Sequence, residues 1–292
     1  MGSVQRSYWE QVAASGLAVP QDRPLGDLTA ELTRMLGDTD PDQRDGTAYP
    51  TLATWVERGV YDDLLPGLGD GMAAGLGVGL GERDTDSVFR RSFSALILGE
   101  CIARDNQRPL VAGNKVLEWG DRLATWLLRE RDLRGFVPGK GWAHAVAHGA
   151  DGLAVLARSP HVAANELTVV LDVIADRVLL PVDAVFGTDE HDRLAAATMA
   201  VLRRGIVSLR VLEPWIARLA AAGRPTEDRD GAADHRRDPR LDTGNAQAFL
   251  RSLYLQLALG PRPPEVRSDL LLVVVDALRS TNPAYLQAAQ PR

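Results

Sequence analysis

The chain has 292 residues with 33 basic and 39 acidic side chains, a formal charge of −6, and 45% hydrophobic but only 5% aromatic content. At this length a compact fold buries roughly 75% of its unfolded surface, so neither disulfides nor metals are needed to stabilise it. The acidic balance argues against a general grip on nucleic acid, the single Cys101 excludes an internal disulfide framework, and the longest apolar run, Leu270 to Val275, is far shorter than the roughly 20 residues that span a bilayer.

In chain order, Met1 to Gln5 shows no apolar signal-peptide core, which makes a cytoplasmic location the expectation. The hydrophobic period is near 3.6 almost throughout and period-two alternation is scarce, which predicts an all-helical protein. Helices are expected over 7–14, 25–36, 49–58, 61–80, 85–104, 115–131, 142–157, 161–180, 190–203, 207–222, 243–259 and 264–279. Asp84 to Ser87 can cap a helix start, Gly205 and Gly223 can end helices in the left-handed region, and Pro160, Pro181, Pro225 and Pro264 fall between runs. Helices joined by short turns stack as antiparallel hairpins, so the expected architecture is one domain over 1–292, an irregular HEAT- or armadillo-like array. Residues 1–46 read as an N-terminal extension. The stretch 223–242 is about half charged and holds one large apolar residue, too little to offset the entropy of ordering it, and it reads as a mobile insertion.

The glycine-rich run from Gly67 to Gly81 invites comparison with a phosphate cradle, but it lacks the preceding strand and the Lys-Ser or Lys-Thr pair. Leu64, Leu68, Met72, Leu76 and Leu80 recur every four residues instead, one apolar helix stripe with glycines between them that allow close packing. No nucleophile elbow is present, and Cys101 sits inside an apolar helix as a small buried hydrophobe.

Two polar segments stand out. In the first, on the helix expected from Trp142, His144, His148 and Asp151 would share one narrow face, opposite Val146, Ala150 and Leu153. Three readings stay open for that face. Asp151 can pair with His148 while His144 bonds a carbonyl; the face can line a polar pocket for a small molecule or protein segment; or the three groups can hold a divalent metal. Ala145 stands where a metalloprotease helix carries its glutamate base, which excludes that chemistry. Glu130, Asp132, Arg134 and Lys140 surround the turn before this helix. In the second segment Arg90 and Arg91 lie one turn beyond Asp86 and could hold an anionic ligand if the two segments face each other.

The strings at 86–96, 130–136 and 141–151, above all Trp-Ala-His-x-x-x-His-Gly-Ala-Asp at 142–151, resemble an uncharacterised bacterial family, domain of unknown function 2785, from about Thr51 to the C-terminal helices. The resemblance implies a helical, soluble protein and supplies no activity or cofactor. The expectation is a binding protein with a candidate pocket of Arg90, Arg91, Glu130, Asp132, Arg134, Lys140, Trp142, His144, His148 and Asp151. Its partner would be a small molecule or protein segment, with neither nucleic acid nor membrane, and no cofactor is expected unless it is a divalent ion. The alternatives are a metal-dependent hydrolase or lyase built on His144, His148 and Asp151, and a protein-interaction scaffold.

Overall fold

The computed structural model describes residues 2–225 and 238–286, with residues 2–6 as backbone only. The chain is all-α apart from one short hairpin, and it divides into two compact units, Met1–His161 and Val162–Arg292.

The first unit runs α1 (Gly2–Ala14), α2 (Leu25–Met35), α3 (Pro41–Gln43), a π-helical turn (Arg44–Ala48), α4 (Tyr49–Glu57), a 3-10 turn (Asp62–Leu64), α5 (Leu65–Gly75), α6 (Ser87–Gln107), α7 (Gly113–Arg129), β1 (Phe136–Val137), β2 (Gly141–Trp142) and α8 (Ala145–Ala157). It is gathered around α6, which packs on α4, α5 and α7 and most extensively on α8. The close approach of these helices rests on missing side chains. A Cβ on Gly69 would stand 2.2 Å from the Trp119 ring, one on Gly75 2.3 Å from Ser94 Oγ, and one on Gly149 2.7 Å from Leu127. The glycines therefore serve packing, as the apolar stripe predicts, although α5 ends at Gly75 and Leu64 stays exposed outside it. Cys101 is fully buried and burial pushes its thiol pKa up. Residues 7–46 pack into this unit: Trp9 is buried and donates its indole N–H to Glu31 at 2.7 Å, and Leu28 and Leu32 of α2 are fully buried.

The second unit contains α9 (Ala164–Leu179), α10 (Glu190–Leu202), α11 (Leu209–Gly223), α12 (Arg240–Leu259), α13 (Arg267–Thr281) and α14 (Pro283–Leu286). Here α12 is central, against α9, α10, α11 and α13. The α9–α10 loop is pinned to it by Asn245, whose Oδ1 accepts from the Phe186 amide at 3.0 Å and from His191 Nε2 at 3.1 Å.

Most expected helices stand within a few residues of their predicted ends. Gly205 adopts φ 66° after α10 as foreseen, whereas Gly223 closes α11 in ordinary geometry, followed by an extended Arg224. Of the charged stretch 223–242, residues 226–237 lie outside the described residues, and α12 already begins at Arg240. The larger correction is at α8. It starts at Ala145 and not at Trp142, because Gly141–Trp142 pairs as an antiparallel strand with Phe136–Val137, and His144 takes a left-handed conformation with φ 47°.

Candidate functional site

The hairpin follows from its sequence. Pro138 and Gly139 occupy the two central positions of a turn closed by the Lys140 amide on the Val137 carbonyl at 2.9 Å. Gly139 carries φ 76°, the proline-glycine chemistry of a type II turn. The ladder continues past the strands, with Ala143 N donating to Gly135 O at 2.8 Å and His144 N to Arg134 O at 3.1 Å. Phe136 and Trp142 are the direct cross-strand pair, so both side chains rise from one face. Their rings meet edge to face at 5.1 Å, and the far side of Trp142 is covered by the imidazole of His144, stacked at 4.2 Å.

This aromatic ledge is open to solvent. Phe136 is 55% exposed and Trp142 42%, while the other five of the six tryptophans are buried. His144 itself is buried, and its left-handed backbone is a conformation that a branched or bulky residue adopts at a cost of about 1–2 kcal/mol. Neighbours hold it there: its carbonyl accepts the first amide bond of α8, from His148 at 2.9 Å. Strain of this kind collects at functional positions.

Beneath the ledge the predicted polar residues form a closed network. Arg91 is fully buried and grips Glu130 with both arms, Nε to Oε2 at 2.6 Å and Nη2 to Oε1 at 2.9 Å. Its remaining nitrogen donates to Val78 O at 2.9 Å, Gly79 O at 3.0 Å and Ser87 Oγ at 2.7 Å. Glu130 also accepts the Trp126 indole at 2.9 Å and the amides of Arg131 and Asp132, both at 3.0 Å. A carboxylate so fully engaged has no lone pair to offer a substrate, and Arg91 is committed to it.

The same holds around it. Asp132 is buried and takes Arg134 through Nε at 2.8 Å and Nη2 at 2.6 Å; Arg134 Nη2 also donates to Thr85 O at 2.7 Å. That hydrogen bond to Asp132 raises the guanidinium pKa of Arg134. Lys140 Nζ pairs with Asp86 Oδ1 at 2.6 Å, so Asp86 faces the hairpin turn and does not cap α6 with its side chain. Arg90 turns away to the Thr33 carbonyl, and burial lowers its pKa. Arg90, Asp132 and His148 thus spend their polar atoms on separate partners.

His148 lies buried on α8 with its ring edge against Phe93 at 5.2 Å, and its Nδ1 is 2.6 Å from Ser92 Oγ. The Ser92 hydroxyl also reaches the Ala143 carbonyl. A carbonyl can only accept, so the one hydroxyl proton goes to Ala143 and His148 Nδ1–H must donate to Ser92. Ser92 is consequently locked to the start of α8 and is not poised as a nucleophile. Asp151 is half-buried one turn beyond His148. Although His144 stands outside the helix, its ring meets that of His148 edge to face at 5.9 Å; among the described residues, however, no group of three or more His, Cys, Asp or Glu could hold a metal ion.

Sequence reading missed Phe136 and Arg44. Pro138-Gly139 between Phe136-Val137 and Gly141-Trp142 was a usable hairpin signal. Nothing local marked Arg44, a fully buried arginine that donates to the Lys140 carbonyl 96 residues away.

The fold and site define a helical protein that displays an aromatic hairpin over a closed polar network. The chain belongs to the family described as protein of unknown function (DUF2785), which matches it over residues 76–255, a span that includes the hairpin, Arg91, Glu130 and α8. The match begins at Leu76, later than the resemblance near Thr51 implied. No curated protein and no solved structure matches the chain. Among the described residues no helix is long and apolar enough to cross a membrane.

Proposed function

We propose that this chain is a non-catalytic binding protein of the cytoplasm whose contact surface is the Phe136–Trp142 ledge backed by His144. The observation that carries the reading is the contrast in exposure: two large aromatic side chains stand together in solvent on a hairpin whose backbone is hydrogen-bonded into the core. Exposed aromatic pairs on rigid supports supply contact area at little entropic cost. Two charges on the hairpin and its flank are neutralised in pairs, Lys140 with Asp86 and Arg134 with Asp132. A charged ligand would have to compete with these pairs. The ligand is therefore an uncharged one that lays a ring face on Trp142, the surface that a prolyl residue of a peptide or the ring of a neutral sugar presents.

Intrinsic fluorescence tests this directly, since Trp142 is the exposed tryptophan. Titration with a proline-rich peptide and, separately, with a neutral oligosaccharide should shift emission and reduce acrylamide quenching in one arm, and Trp142→Ala should abolish the response. A saturable response that survives Trp142→Ala, or silence in both arms, contradicts the reading.

A further inference from the structure

Arg44 lies outside the family-matched span yet reaches the underside of the hairpin. It sits on the π-helical turn, wholly buried, with its guanidinium 4.1 Å above the Phe89 ring and 5.0 Å from Phe93, both on α6. Two of its bonds are local: Nη1 to Asp38 O at 2.7 Å and Nη2 to Asp45 Oδ2 at 2.7 Å. The third runs from Nη2 to Lys140 O at 2.6 Å, the carbonyl of the residue that closes the hairpin turn.

The hairpin is shaped to receive it. Gly141 has φ 78°, and a Cβ there would lie 3.0 Å from Arg44 Nη2 and 3.1 Å from Pro41 Cβ, so the absence of a side chain lets the arginine approach. Burying a cation is costly without partners, and burial does lower the Arg44 pKa while raising that of Asp45. A plug for the space above α6 could be apolar. A charged fork is retained where a carbonyl of the turn must be held in place.

We infer that Arg44 is a positioning residue: from the segment preceding the family-matched region, it clamps the Lys140 carbonyl and so sets the angle and rigidity of the Phe136–Trp142 ledge. The inference builds on the proposed binding surface but is tested without ligand, so its failure and that of the binding reading are distinguishable.

Amide hydrogen exchange on the full chain gives the test. In Arg44→Met, which fills the same space without donors, exchange over 134–144 should rise about tenfold or more, the scale of a lost charged hydrogen bond, while the centres of α6 and α8 remain protected. Acrylamide quenching of Trp142 should increase in parallel. Arg44→Lys, which keeps one donor nitrogen but not the fork, should restore part of the protection and also carries the test if the methionine variant does not fold. Unchanged exchange over 134–144 in a folded Arg44 variant overturns the inference. So does an increase shared equally by α6 and α8, which would mark Arg44 as general packing.

Discussion

The Arg91–Glu130 pair and the Phe136–Trp142 pair lie in the same unit, and they differ in every respect that bears on function. The first is charged, fully buried and engaged at both ends by side chains and backbone. The second is apolar, exposed, and has protein on only part of its surface. In sequence the charged cluster and Trp142 stand together as candidate pocket residues; the structure separates them, burying the charges and leaving the ring in solvent. A cluster of ionisable residues becomes a site when some donor or acceptor is left for a ligand, and here those atoms are spent on holding α6, α7 and the hairpin together.

The sharpest way to break this contrast is at Arg91. Arg91→Ala leaves Glu130 buried without its counter-ion, and the loss should be about 3–5 kcal/mol by chemical denaturation. A loss below about 1 kcal/mol, on the scale of exposed ion pairs, would place the pair among surface contacts and undo the comparison.

Tyr61 provides a second closed group in the same unit. Buried, with its hydroxyl 2.8 Å from Thr29 Oγ1, it has its pKa raised by desolvation from 10.0 to about 12. A raised folded pKa means that the unfolded chain gives up this proton first. The contribution is thus intact below pH 10 and is lost as pH rises toward 12, a change of about 2–3 kcal/mol for two pKa units. The stability difference between wild type and Tyr61→Phe should shrink over that window by this amount, and a difference independent of pH would show that the phenol is hydrated in the native state.

Ser92→Ala should cost about 1–3 kcal/mol, because it leaves the Ala143 carbonyl and His148 Nδ1–H without their shared hydroxyl. Thermal unfolding measures it. At the open end of the comparison, Trp142→Ala should cost about 1–2 kcal/mol, less than Arg91→Ala, since part of the ring is in solvent and no buried charge is left behind.

The helices were legible because each carries many turns of a 3.6-residue period, and their errors are confined to ends. The same periodicity misled at Trp142. Trp142, Val146 and Ala150 fit a helical stripe, but Gly141 and the left-handed His144 break the helix before it can extend back, and strands of two residues are too short to display an alternating pattern of their own. Of the ten residues expected at the site, Arg91, Glu130, Asp132, Arg134, Lys140 and His148 spend polar atoms on protein partners, Trp142 and His144 stack at the ledge, Arg90 bonds back to Thr33, and Asp151 is half-buried on α8. What sequence spacing could not convey was saturation: Glu130 takes its partners from residues 91, 126, 131 and 132 at once, and only coordinates show that none of its capacity remains. Arg44 was invisible for a related reason, because its decisive partner is remote in sequence.

The most direct measurement is calorimetric titration of the wild type and of a Phe136→Ala/Trp142→Ala double variant with the proline-rich peptide and the neutral oligosaccharide, alongside their melting temperatures. Heat of binding in one arm should vanish in the double variant while its melting temperature stays within a few degrees of wild type. Equal affinity in both proteins, or no heat with either ligand in the wild type, would show that the exposed aromatic pair is not a binding surface.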